Sequence, residues 1–228
     1  MLTSVLGLIA LALGVVSVLI FYGYIVGTGT GMLPRGEPAD GALPWLSNAG
    51  LLAQFALQHS GMARQWFKTW CQRWLPATIE RPLYVAASGI ALAALTVGWQ
   101  PLPGNPLWNG PIWIESISIL AIAGAGGFVV FFVPVTFFGL GVSSNREPLR
   151  TNGPYRFVRH PLMLAVLIAI WAQPIMPPEL FLMNVGMTLY ILIAIRLEER
   201  DLVREFGTEY EKYRSEVPAL VPWKWTSI

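Results

Sequence analysis

Residues 179–202 read ELFLMNVGMTLYILIAIRLEERDL, and the two halves of that string have opposite chemistry. From Glu179 to Leu197 the run is mainly apolar, close to the roughly 20 residues needed to cross a hydrocarbon core. It then turns charged, in Arg196-Leu197-Glu198-Glu199-Arg200-Asp201. The pattern predicts a helix that crosses lipid and emerges at its C-terminal end. At helical spacing Tyr190, Ala194, Glu198 and Leu202 share one face. Adjacent carboxylates project about 100° apart, so one of Glu198 and Glu199 is expected to face the bundle, where an ionisable group near the membrane marks a functional site. Snorkelling, with ordinary surface pairing by Arg196, is the plain alternative.

On its N-terminal side, Pro174, Pro177 and Pro178 separate this span from a shorter one at 161–176. Proline opens helices more readily than it continues them, so the two predict a tight helical hairpin. Further apolar runs lie near 2–26, 44–63, 82–99 and 112–140, the last holding Pro134, where a kink is expected. No Lys or Arg precedes the first run, which exceeds the roughly 7–15 apolar residues of a signal peptide, so it is expected to be a retained span. The expected fold is an all-α integral membrane bundle of about six spans. It forms one domain over 1–228, with four spans in 1–142 and a connector, hairpin and tail in 143–228.

Composition agrees. The chain is 54% apolar and 12% charged, with a mean hydropathy of +0.55. A soluble domain carries about 25% charged residues. A net charge of +2 gives no reason to expect nucleic acid. The 64–81 loop holds four Lys and Arg residues, the 143–160 connector four and the C-terminal stretch six, which is fourteen of the fifteen; Arg35 is the other. Six spans with both termini inside put all fourteen in the cytoplasm, as the positive-inside rule asks. Trp45, Trp99, Trp108 and Trp113 fall near the outer ends of spans, and Trp66, Trp70 and Trp74 recur among basic residues as in an amphipathic interfacial helix. Cys71 lies in that segment and reads as an unremarkable interfacial thiol.

Two glycine clusters invite over-reading. Gly27-Thr-Gly29-Thr-Gly31 is expected in the outer loop and Gly124-Ala-Gly126-Gly127 inside an apolar helix. Neither follows a strand, which excludes a dinucleotide fingerprint, and close helix packing suits the second better. Both histidines fall near the inner face. His59, in Gln58-His59-Ser60, can be read as a polar helix end or as a functional group. His160 stands in Gly153-Pro154-Tyr155-Arg156-Phe157-Val158-Arg159-His160-Pro161. There Pro161 suits the first position of a helix whose free amides bind anions, and Arg159 offers a guanidinium fork. The hairpin would bring this corner to Glu198 and Glu199, where a zwitterionic, adenosine-bearing ligand finds a partner for each of its parts.

Gly153-Pro154-Tyr155, Arg159-His160-Pro161, Glu198-Glu199-x-x-Leu202, Phe206-Gly207-x-x-Tyr210-x-x-Tyr213 and Pro218 together resemble the isoprenylcysteine carboxyl methyltransferase and phospholipid methyltransferase superfamily. Phe55-Ala-Leu57-Gln58-His59-Ser60-x-Met62-Ala63-Arg64, Glu80-Arg81-x-x-Tyr84, Trp171-Ala172-x-Pro174-x-Met176 and Ile195-x-Leu197-Glu198-Glu199 are similar to its bacterial methanethiol S-methyltransferase branch. Met163 and Ala165 depart from the wider superfamily, which often has Tyr and Gly there. The resemblance implies S-adenosylmethionine as methyl donor, held by Tyr155, Arg159, His160, Pro161, Leu162, Glu198 and Glu199, with Tyr190 on the same face of the last span. It implies no metal.

Methyl transfer from a sulfonium asks the protein mainly to align reactants and exclude water. A thiol acceptor must also lose its proton, and His59 is a candidate base beside Arg159 and Glu199 as candidate catalytic residues. The expected reaction is S-methylation of methanethiol or another small thiol, at the cytoplasmic face of a bacterial inner membrane. The expected partners are a small thiol or lipid-like substrate and membrane lipids, with no obligate protein partner. Methylation of a larger amphiphile, such as a prenylcysteine carboxylate or a phospholipid amine, is the alternative. A transporter is the non-enzyme reading, without an inverted repeat to support it.

Overall fold

The structure, a computed structural model, describes residues 2–132 and 148–222. Eight α-helices and one 3-10 turn account for its regular elements: α1 Leu2–Gly29, α2 Leu43–Ala63, α3 Gln65–Cys71, α4 Ala77–Val97, α5 Ile114–Phe132, the 3-10 turn Gly153–Arg156, α6 Pro161–Trp171, α7 Pro178–Phe206 and α8 Thr208–Glu216. The chain is an all-helical integral membrane protein. Among the described residues, three helices are long and apolar enough to cross a bilayer: Val5–Gly29, Ile114–Phe132 and Pro178–Phe206. Their outward side chains are large and apolar, among them Leu19, Leu120, Val130 and Phe131, the last 82% exposed. Such a surface is costly in water and suits lipid.

The helices pack in a chain of neighbours: α1 on α4, α4 on α2, α2 on α7, α7 on α6 and α6 on α5. The core between them holds Phe21, Ile25, Phe55, Leu95, Ile170, Met183 and Met187. α1 and α4 approach closely at two glycines. A Cβ on Gly89 would lie 3.2 Å from the Gly14 Cα, so small residues set this contact. Side chains pin the hairpin: Asn184 Nδ2 donates to the Ile170 carbonyl (2.6 Å) and Trp171 Nε1 to Thr188 Oγ1 (2.9 Å).

Several expectations need correction. The span expected at 161–176 is helical only over Pro161–Trp171, 11 residues. At about 1.5 Å per residue that is roughly 16 Å, half of a crossing. Residues 173–176 leave the helix to bond elsewhere: the Ile175 N–H meets the Gly29 carbonyl (2.7 Å) and the Met176 N–H the Trp108 carbonyl (3.2 Å). α7 continues past 197 to Phe206, where Gly207 adopts φ +58°, a conformation open to glycine, and turns the chain into α8. Gly27 and Gly29 lie in the last turn of α1 rather than in a loop, and Gly29 touches the Gln173 side chain. A Cβ at Gly124, Gly126 or Gly127 would meet open space among the described residues; Ala125 is the buried member of that stretch. Trp99 is no interfacial anchor: it is buried and its indole N–H donates to the Glu179 carbonyl (3.1 Å). Trp66 and Trp70 are exposed on α3 as expected, whereas Cys71 is buried. Pro134, with its expected kink, lies outside the described residues.

Polar chemistry separates to the two ends of α7. At its start Glu179, 1% exposed, takes Arg35 Nε (2.6 Å) and Nη2 (2.8 Å), and Arg35 Nη2 also reaches the Leu102 carbonyl (2.9 Å). At its other end stand Glu198 and Glu199, about 30 Å away at 1.5 Å rise per residue.

Candidate functional site

Pro161 opens α6, with His160 just before it in a non-helical conformation (φ −124°, ψ 65°). The turn is held from outside by the chain that follows α8. The Arg159 N–H donates to the Pro218 carbonyl (2.9 Å) and the His160 N–H to that of Ala219 (3.1 Å). Helix geometry leaves the first-turn amides without intrahelical acceptors, so Leu162 and Met163 present N–H groups at this corner.

The Arg159 guanidinium does not face open space. Its Nε (2.8 Å) and Nη2 (2.5 Å) both meet Glu199 Oε1, and Nη1 donates to the carbonyls of Arg214 (3.1 Å) and Val217. His160 Nε2 lies 3.2 Å from the same carboxylate oxygen. Arg159, His160 and Glu199 therefore form a closed, largely buried knot joining α6, α7 and the tail. Charge-assisted hydrogen bonds of this kind are strong and directional, which suits holding a turn in place.

Glu198 is the open carboxylate. Its side chain is 48% exposed, and among the described residues its ionic neighbour is His160 Nδ1, 3.9 Å away. Tyr155 lies on the 3-10 turn before the corner, edge-on to Phe128 of α5 (5.6 Å between rings), and its carbonyl accepts from Tyr213 Oη (2.7 Å). Burial pushes the phenols of Tyr155 and Tyr210 up from the usual range, and that of Tyr213 up to about 12. All three stay neutral at physiological pH and act through rings and O–H groups.

A second cluster abuts the first through α7. His59, one turn from the end of α2, stacks on Phe55 (5.4 Å, 21° between planes), stands edge-on to Tyr190 of α7 (6.2 Å) and faces Tyr84 of α4 (5.2 Å). Its Nε2 is 3.0 Å from Tyr84 Oη, and its Nδ1 is buried with no partner among the described residues. Just beyond, Arg64 Nη1 pairs with Asp201 Oδ2 (2.8 Å), fastening the ends of α2 and α7. Tyr190 lies two turns before Glu198 on the same face of α7, so one helix face carries the floor of both clusters.

The structure thus brings Tyr155, Arg159, His160, Pro161, Leu162, Glu198 and Glu199 to one corner and sets His59 and Tyr190 beside it. Tyr84 and the Arg64–Asp201 pair had no role assigned from sequence. Tyr84 stands in the quoted Glu80-Arg81-x-x-Tyr84 stretch, but only the packing of α4 against α2 shows that its hydroxyl meets His59. Nothing in sequence spacing points from Arg64 to Asp201.

The sequestered carboxylate knot and the aromatic-walled imidazole define a class: an all-helical integral membrane protein with a polar site where a helical hairpin meets one end of the bundle. Residues 49–196 match the family described as NnrU protein, and the chain belongs to that family. It is 35% identical to methanethiol S-methyltransferase 1 of Bradyrhizobium diazoefficiens, over 95% of this chain and 83% of that protein. It is 38% identical to methanethiol S-methyltransferase of Pseudomonas sp. (strain GM41(2012)), over 88% and 82%. The enzyme of the same name from Mycobacterium tuberculosis is 36% identical, over 92% and 94%. No solved structure matches the chain.

Proposed function

We propose that this chain is a membrane methyltransferase that S-methylates methanethiol or another small thiol to a thioether such as dimethyl sulfide, with S-adenosylmethionine as methyl donor. The observation that carries the reading is the single face of α7 that holds Tyr190, edge-on to the His59 imidazole, and two turns further on Glu198, the half-open carboxylate. The similarity to methanethiol S-methyltransferases over nearly the whole chain supports the acceptor.

The residues present fit the donor. A half-exposed carboxylate and the rings of Tyr155 and Tyr190 suit a cation, whether ammonium or sulfonium. The amides of Leu162 and Met163 at the start of α6 suit a carboxylate. When bound, the donor supplies a methyl group already activated on a sulfonium. Glu198 would hold the cationic part, and the α6 amides the anionic part. Arg159, His160 and Glu199 would keep the turn rigid, so that the reacting atoms meet in line. His59 would take the thiol proton, since the thiolate is the better nucleophile.

The arrangement is read as six spans, the fifth made of α6 and the non-helical residues 172–177 together, with both termini in the cytoplasm of a bacterium, in the inner membrane, the site on the inner side and the chain acting as one domain. Fourteen of fifteen Lys and Arg residues support this orientation. The test is an assay of the purified protein with methyl-labelled S-adenosylmethionine against a panel of thiols, prenylcysteines and phospholipid amines. Label transfer to methanethiol or another small thiol is expected. Activity confined to a prenylcysteine or a phospholipid would replace the acceptor assignment, and no transfer to any acceptor would remove the enzyme reading.

A further inference from the structure

We infer that Tyr84 is a positioning residue: its hydroxyl on His59 Nε2 holds the imidazole in the tautomer whose bare Nδ1 receives the acceptor's proton. The inference rests on the reading of His59 as the base and adds which nitrogen acts and what sets it.

A neutral imidazole carries one N–H and one lone pair. Phe55, Tyr84 and Tyr190 wall the His59 ring on three sides, and among the described residues Nε2 has a partner, Tyr84 Oη at 3.0 Å, whereas Nδ1 has none. Were the proton on Nδ1, a buried donor would stand unmade, an arrangement folded proteins seldom keep. With the proton on Nε2 that donor is satisfied by Tyr84 Oη, and Nδ1 is left as a lone pair. The Tyr84 O–H is then free to turn to Ser88 Oγ, one turn along α4 and within electrostatic reach, which has no other partner among the described residues. Either assignment lets Tyr84 and Ser88 pair with each other, so the difference lies at Nδ1: one tautomer leaves a bare lone pair there, the other a buried N–H donor without an acceptor, which is the costlier of the two.

The charged groups around this cluster are Arg81 of α4, 5.3 Å over the Tyr84 ring, Arg64 after α2, and Glu198 of α7, with the phenol of Tyr190. In the step itself the thiol S–H bond breaks and an Nδ1–H bond forms. The thiolate sulfur would form a bond to the methyl carbon as that carbon's bond to the donor's sulfonium sulfur breaks, the electron pair of the broken bond staying on the donor, which leaves as a neutral thioether. The imidazolium, stabilised by its Nε2–H on Tyr84 Oη, later returns the proton to water. Tyr84 thus supports the base without touching the substrate.

The chain has two histidines, so protein labelled with nitrogen-15 in histidine shows two rings, and the spectrum of His59→Gln assigns them. Wild-type protein is expected to show His59 with unprotonated Nδ1 and protonated Nε2. In Tyr84→Phe the ring should become a mixture of tautomers, with kcat lowered between about 2- and 10-fold, the value of one hydrogen bond, and KM for the thiol near that of wild type. A wild-type His59 protonated on Nδ1 overturns the inference without need of any variant. So does a Tyr84→Phe protein with unchanged ring signals and unchanged kcat. His59→Ala separates the two levels. Full activity in His59→Ala with small thiols removes the base reading, whereas an inactive His59→Ala with the other wild-type tautomer removes the Tyr84 assignment alone.

Discussion

Arg159 and Glu199, forty residues apart, meet through a single carboxylate oxygen: Nε at 2.8 Å and Nη2 at 2.5 Å both reach Glu199 Oε1. Their side chains are 9% and 13% exposed, so neither charge has water to fall back on. The next carboxylate, Glu198, is half open. Two neighbouring glutamates therefore stand in different surroundings, one closed into the turn and one half open, the second being the one proposed to hold the donor.

That division is testable. Glu199→Gln or Arg159→Ala leaves a buried charge without its partner, and about 3–5 kcal/mol of stability should be lost. Glu198→Gln should unfold near the wild-type temperature yet bind S-adenosylmethionine more weakly. Thermal unfolding in detergent beside calorimetric titration of the donor measures both. Wild-type affinity in Glu198→Gln would detach that residue from the site.

For His59 the signature is a pH dependence. His59→Ala should lower turnover by about 10²–10⁴-fold, the usual cost of a lost general base. The deficit should shrink as pH rises through the thiol's own titration, because solution then supplies thiolate. A variant-to-wild-type ratio that stays constant over that range means the imidazole takes no part in deprotonation.

Tyr213 ties the tail to the site, and its phenol, held near pKa 12 chiefly by burial, ionises later than an ordinary phenol at 10. The folded pKa lies above the unfolded one, and the neutral form is the one that donates to Tyr155. Its contribution is therefore complete below about pH 10 and lost as pH climbs through about 12. Ultraviolet titration of the phenolates, run beside a melting curve at each pH, should show that loss, and Tyr213→Phe should blunt it. Ionisation of every tyrosine near pH 10 would contradict it.

At the far end of α7, Glu179→Gln or Arg35→Ala should cost about 3 kcal/mol, the low end for a broken buried pair, since Arg35 is one-third exposed. Donor affinity should hold, because the site lies about 30 Å away along the helix. A large fall in affinity in a folded Glu179→Gln protein would show that the two ends are coupled.

Orientation can be checked with reporter fusions after Ile228 and within the 64–81 loop. Both are expected on the cytoplasmic side, following the charge bias. A reporter that is active outside at either point reverses the topology.

The amphipathic and apolar runs were legible in the chain itself, because covering a hydrocarbon core demands length and apolarity that few other folds need. Pro161 at the start of α6 and the prolines before α7 marked the hairpin for an equally local reason, since proline restricts its own backbone whatever surrounds it. Sequence alone thus determined the all-helical membrane class, the basic bias and the residues gathered at the Arg159–His160 corner, but not the short length of α6, the extension of α7 to Phe206 or the presence of α8. Which of them stay free for a ligand was decided only by the tertiary structure. The guanidinium of Arg159 is consumed by Glu199 and two tail carbonyls, while Glu198 is spared, because the rotation of α7 against α6 and the return of residues 217–219 set those distances. The meeting of Tyr84 with His59, and of Arg35 with Glu179, likewise depends on helices far apart in the chain. Hydrogen bonds act over about 3 Å, a distance that spacing along the sequence does not report until the helices have packed.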